Sequence, residues 1–276
     1  MNFKSFFGIW DGQAKSRPAL DLAIKLTRDV DGHLDLLCIA PTAPDAIYIS
    51  EVSVDVVRQM TARAQEEAEA LKAEAQAIVD AAGIAATLRA AALRYSEVAG
   101  VVGREGRFHD LIIMPRPFPV EAAAATEEAL DGALFDTLAP VLVCPPKPVG
   151  ELGRKIMVAW NGDQEAMRAI RAALPLLKAA DEVEIVTVEP PVQHSGATPG
   201  LALMTMLTRH GVNAALTPIA RTAERVSETL RQKARDLGAD LIVMGAYGHS
   251  RFRERLLGGA TREMLEDAES PVMMTH

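Results

Sequence analysis

The chain has 276 residues, of which 49% are apolar and 24% charged, a balance that supports compact cores and a length that suits two domains. Its formal charge of −8 argues against a broad duplex-DNA surface, which would present a basic stripe. No stretch approaches the ~18–20 apolar residues of a membrane-spanning helix. The opening MNFKSFFGIWDG reaches Asp11 too early for a secretory signal, so a cytoplasmic protein without nucleic-acid or membrane partners is expected.

The first strand-like run is FFGIWDGQ (Phe6 to Gln13), and LDLLCIAP is the second. A long helical pattern follows from about Val52 to Ala81, its apolar positions recurring at helical spacing with Glu and Lys on the other face. Then come DLIIM (Asp110 to Met114), the prolines Pro115 and Pro117, the helical EAAAATEEA, and the strand-like APVLVCPP. Both cysteines, Cys38 and Cys144, sit in these apolar runs. They are expected to be buried reduced thiols, and no Cys/His spacing suggests zinc. The stretch PPKPVGELG (Pro145 to Gly153) has the proline and glycine content of a linker.

Beyond the linker the pattern repeats. IMVAWNGD (Ile156 to Asp163) matches FFGIWDGQ, VEIVTVEP matches LDLLCIAP, DLIVM (Asp240 to Met244) matches DLIIM, and SPVMMTH matches APVLVCPP. The order and kind of segment agree throughout, which marks a duplication, with domains expected at 1–148 and 149–276. In the second copy strands are expected near Lys155–Trp160, Glu182–Val188, Ala214–Ile219, Leu241–Met244 and Val272–Thr275. Helices are expected near Gln164–Ala179, Leu201–His210, Arg225–Leu237 and Ala260–Ala268. Short apolar strands alternating with amphipathic helices predict an α/β fold: two tandem doubly wound five-stranded parallel-sheet domains. Ligands in such sheets sit beyond the carboxyl ends of strands, where chain order reverses.

Only the second copy carries a glycine-rich loop, Gly245, Gly248 and Gly258 in the spacing G-x2-G-x9-G between a strand and a helix. Glycine removes the Cβ that blocks close approach and tolerates positive φ. Gly258 and Gly259 then open a helix whose first N–H groups are unpaired at the positive end of its dipole. Arg251, Arg253 and Arg255 add positive charge. In the first copy Pro115 and Pro117 remove N–H donors, and Glu121, Glu127 and Glu128 follow where a phosphate would lie.

These residues resemble the universal stress protein (UspA) family, and the duplicated unit resembles its tandem type, over essentially the whole chain. The resemblance implies the UspA fold, similar to the adenine nucleotide alpha-hydrolases, and an ATP or related adenine-nucleotide site in the second copy, with Mg²⁺ carried on the phosphates. It places Gly245, Gly248 and Gly258 on the phosphate loop, Met244 beside ribose and phosphate, and Val188 at the backbone position that reads adenine. Asn161 stands where nucleotide-binding members have Asp, and Gly259 where Ser or Thr is usual, with Thr261 as a substitute hydroxyl. Trp160 replaces a smaller residue and either stacks on a base or fills the pocket. The family's domains pair through their last strands, which implies an internal pseudo-dimer here and allows a homodimer.

Other candidates carry less. His249 is placed to touch a phosphate or to face solvent, and the remaining histidines show no metal spacing. Ser195 lies in QHSGATPG, which lacks the nucleophile-elbow context. The loop lacks the GK[ST] ending of a P-loop. A stress-response regulator that binds nucleotide, rather than an enzyme, is expected. The alternative is a non-nucleotide module acting through unidentified protein partners or an apolar ligand in the N-terminal crevice.

Overall fold

The computed structural model describes residues 3–42, 53–118, 124–189, 200–247 and 259–276. The chain divides into two compact units, residues 2–147 and 148–276. The first contains β1 (Ser5–Trp10), α1 (Arg17–Asp29), β2 (His33–Pro41), α2 (Val54–Ala82), β3 (Ala85–Leu93), α3 (Tyr95–Gly106), β4 (Leu111–Pro115), α4 (Ala124–Phe135) and β5 (Val141–Cys144). The second contains β6 (Lys155–Ala159), α5 (Gln164–Ala179), β7 (Glu182–Glu189), α6 (Leu201–Arg209), β8 (Ala214–Ala220), α7 (Val226–Leu237), β9 (Leu241–Gly245), α8 (Gly259–Asp267) and β10 (Val272–Thr275).

In each unit the strands are parallel and lie in the order third, second, first, fourth, fifth. This is the doubly wound α/β fold read from the sequence. The chain order reverses between β1 and β4, and again between β6 and β9, so each unit has one crevice above its central strand. The central strands are apolar without alternation because helices cover both their faces. Leu111, Ile112, Ile113 and Met114 are at most 1% exposed, and burying each such side chain contributes about 1.5–3 kcal/mol.

Edge strand β8 is different. Its residues alternate between half-buried and exposed, and it holds Pro218. Asn213 directs its carbonyl at Val183 of β7, so by the two-residue period the nitrogen of Pro218 faces the open edge, where a missing N–H costs no ladder bond.

Two local devices recur in both copies. Asp110 accepts from the backbone N–H of Lys4 (2.7 Å) and Ser5 (3.0 Å). Its counterpart Asp240 accepts from Gly153 (2.8 Å), Arg154 (2.9 Å) and Lys155 (3.1 Å). Each carboxylate thereby ties the start of the fourth strand to the start of the first. At the other end, Asp11 Oδ1 accepts from Gln13 N–H and Asn161 Oδ1 from Asp163 N–H, both at 3.1 Å. These Asx turns redirect the chain after the first strand of each unit, with Gly12 at φ +73° and Gly162 at +91°.

Helix α2 starts two residues after the predicted Val52, which lies outside the described residues, and ends at Ala82, one residue beyond the predicted Ala81. Ser53 caps it by accepting from Asp55 N–H, and Gly83 closes it in the left-handed region. Its buried positions are Ala64, Ala68, Ala75 and Val79, a narrow small-residue stripe, with Leu71 and a few other positions half-buried beside it. Both cysteines are buried thiols. Burial pushes Cys38 up to about 12 and raises Cys144 further, which makes both poor nucleophiles.

Candidate functional site

The crevice of the second unit is built by strand lengths. β6 ends at Ala159, and Trp160 N–H donates to the Val186 carbonyl (2.9 Å). β7 and β8 continue together through the pairs Thr187–Pro218, Val188–Ile219 and Glu189–Ala220. Backbone groups alternate sides along a strand. Since Val186 faces β6, so does Val188, but past the end of β6. Its N–H and C=O therefore point into the crevice, with no strand among the described residues to pair them.

The opposite wall follows the same logic. On β9, Ile242 and Ala246 donate to carbonyls on the β10 side, those of Pro271 and Thr275. Gly245 is out of phase with both, so its backbone faces β6, again beyond that strand's end. Val188 and Gly245 thus flank one notch above β6. Unpaired backbone donors and acceptors at such a switch point are the groups that read a planar base edge or a phosphate.

Gly245 has a second constraint. A Cβ there would lie 2.5 Å from Ala166 N and 2.8 Å from Glu165 C, backbone atoms in the first turn of α5. The glycine lets α5 press onto the end of β9. Its φ is not positive among the described residues, so close approach, rather than backbone handedness, requires it. Thr275 Oγ adds a bond to the Glu165 carbonyl (3.3 Å) at the same junction.

Asn161 is at the mouth, but its amide is engaged. Besides the Asx turn, Nδ2 donates to Asp163 Oδ2 at 2.6 Å. Asp163, the N-cap residue of α5, makes no side-chain bond to that helix. It brings a half-buried carboxylate to the mouth of the crevice, which the sequence reading did not single out. Met244 is 8% exposed with its backbone turned to β10, so it packs in the sheet behind the crevice wall. Trp160 is half-buried, whereas its first-copy counterpart Trp10 is 2% exposed.

The beginning and end of the glycine loop are visible. Tyr247 sits at φ +61°, an uncommon conformation for a residue with a Cβ and one that clusters at functional sites. Its N–H donates to Thr261 Oγ1 at 3.4 Å, and its ring meets His276 edge-on at 6.4 Å. Thr261 is 4% exposed. Its hydroxyl therefore ties the start of the loop to α8 as an acceptor, with its own O–H still able to donate. Gly259 is the first residue of α8, exposed, and among the described residues the Glu263 carboxylate is nearest to a would-be Cβ (3.3 Å). Gly248, His249, Arg251, Arg253, Arg255 and Gly258 lie outside the described residues, as do His194, Ser195 and Glu121.

In the first unit a leucine covers the corresponding turn. A Cβ on Gly12 would come within 2.2 Å of a Leu71 methyl from α2. That side chain covers the turn after β1, and Pro115 ends β4 where Gly245 ends β9. The buried Trp10 indole N–H has no acceptor among the described residues. Glu127 and Glu128 lie on the first turns of α4. The long α2, which the sequence set apart from its shorter counterpart α6, is the element that covers this turn. Among the described residues no group of His, Cys, Asp and Glu is arranged to hold a metal, and no helix is long and apolar enough to cross a membrane.

Comparison with known proteins agrees with this fold. Residues 153–276 match the model of the universal stress protein family. No curated protein matches the chain in sequence. Among solved structures, a universal stress protein from Archaeoglobus fulgidus aligns over 98% of this chain and 94% of its own, at 19% identity and a TM-score of 0.74. A functionally unknown protein from Pseudomonas aeruginosa aligns over 99% and 92%, at 17% identity and a TM-score of 0.59. These likenesses establish the fold along the whole chain, and residues 153–276 form a domain that matches the universal stress protein family.

Proposed function

We propose that the protein is a stress-response regulator that binds adenine nucleotide, ATP with Mg²⁺ carried on its phosphates, in the crevice of the second unit. The observation that carries this reading is the notch above β6, where Val188 and Gly245 turn unpaired backbone groups toward each other across the end of the central strand. Val188 supplies one N–H and one C=O to the adenine edge. Trp160 lies at the base of the same notch, and Tyr247, anchored on Thr261, starts the phosphate loop. The first unit takes no nucleotide, because Leu71 occupies the equivalent turn.

The described part of this site holds no nucleophile with an adjacent base and no lysine aimed at a terminal phosphate. The protein accordingly acts by binding, in the cytoplasm, and signals through its occupancy. Calorimetric titration of Mg-ATP into the full chain tests this. We expect saturable binding of one nucleotide per chain, abolished by Gly258→Val with the melting temperature unchanged. A folded wild-type chain that takes up no nucleotide refutes the proposal.

A further inference from the structure

The first unit carries a second cleft, at the end of the sheet opposite the switch point. Its volume is about 460 Å³, within the range of small-molecule sites. The floor is formed by Phe7 of β1 and by Leu36 and Leu37 of β2, and the walls by β3 and the end of α3. Phe108, 78% exposed, stands at the rim.

The polar groups are arranged in tethered pairs. Asp35 is held by His109 at 2.7 Å and lies 3.4 Å from His33. His109 is itself fixed, with Nδ1 3.1 Å from the Glu105 carbonyl and its ring 5.2 Å from that of Phe7. Glu105 is bound by Arg89 at 2.5 Å. That leaves Arg104, whose guanidinium is 4.0 Å from Glu105 and 65% exposed, as the loosely held cation beside an aromatic rim.

The duplication supplies an internal control. Aligning DLIIM on DLIVM places Ala234, Gly238 and Ala239 at the positions of Arg104, Phe108 and His109. In the second unit Gly238 ends α7 in the left-handed region, an ordinary helix terminus. The first copy has replaced that terminus by a phenylalanine, a buried histidine and an arginine, all lining one cleft. A fold that needs only glycine and alanine there gives no packing reason for the exposed Phe108 and Arg104, which stand beside the tethered His109.

From this we infer that the cleft is a binding site for a small amphipathic anion: a planar aromatic body against Phe108, Phe7 and Leu37, with one acidic group on Arg104. The inference is independent of the nucleotide reading, because it concerns the other unit and the other end of the sheet.

The test uses 8-anilino-1-naphthalenesulfonate, a fluorescent aromatic anion, titrated into the full folded chain. Saturable binding is expected, at least tenfold weaker in Arg104→Glu and in Phe108→Ser, and unaffected by Gly258→Val. Naphthalene-2-carboxylate should displace it, whereas neutral 2-methylnaphthalene should compete poorly. Both variants alter exposed side chains, and circular dichroism with thermal melting verifies their folding. Absence of saturable binding, or equal binding by wild type and the two cleft variants, overturns the inference.

Discussion

Glycines 245 and 259 bracket the glycine-rich loop, and the structure gives them opposite responses to the same substitution. In Gly245→Ala the new methyl carbon would sit 2.5 Å from Ala166 N and 2.8 Å from Glu165 C. Both are backbone atoms of a helix seated on the sheet, so relief requires α5 to shift as a body. Such overpacking costs about 1–3 kcal/mol, and a value near 2 kcal/mol lowers the melting temperature of a unit this size by roughly 6–10 °C. In Gly259→Ala the nearest atom among the described residues is Glu263 Oε1 at 3.3 Å, the end of a side chain that Ser227 holds at its other oxygen, and the site opens a helix. The variant should gain about 0.4–1 kcal/mol, because alanine has fewer unfolded conformations to lose. Urea unfolding of both variants, followed by circular dichroism, reads the difference directly. If Gly245→Ala matches wild type in stability, the argument that helix seating selects this glycine is wrong.

Other predictions follow from single groups. Asp240 receives three backbone N–H groups and Asp110 two. Asp240→Ala should therefore cost about 2 kcal/mol and Asp110→Ala somewhat less, measured as shifts in urea midpoint at constant slope. Asp131 on α4 is pushed up to about 6 by burial and then by Glu128, Glu127 and Asp136. Its carboxylate thus opposes folding when ionised. The penalty is absent below the unfolded value of 3.8 and fully present above about 6. Stability from this group should fall as pH rises through that window, by on the order of 1 kcal/mol after allowing for solvent screening of a half-buried site. Asp131→Asn should raise the melting temperature at pH 7.5 and leave it nearly unchanged at pH 4; equal effects at both values would contradict this.

Much of the architecture was legible because its signals are local. Helix α5 spans Gln164–Ala179 and β10 Val272–Thr275, both as the apolar periodicity predicted. The other elements of the second unit shift by one residue at an end, as with β9, which runs on to Gly245, or at both, as with α8. The duplication was readable because paired segments keep their order, and the Asp110/Asp240 and Asp11/Asn161 devices lie at matched positions within them. Thr261 shows the limit. Its place beside the loop was visible, but its acceptance of the Tyr247 N–H depends on a left-handed tyrosine that no side-chain pattern announces.

The sequence by itself determined the alternation of strands and helices, the duplication, and which copy keeps the glycines. Tertiary structure decided which backbone groups have no partner. Val188 and Gly245 face the crevice only because β6 stops short of its two neighbours, a difference in length between strands far apart in the chain. Tertiary packing likewise laid Leu71 over the turn after β1, some sixty residues beyond the Gly12 it covers. It also gathered Phe7, Asp35, Arg89, Arg104 and His109 into one cleft from three strands and the end of a helix. Periodicity reports which face a residue shows, whereas the meeting of distant segments depends on the register of the sheet.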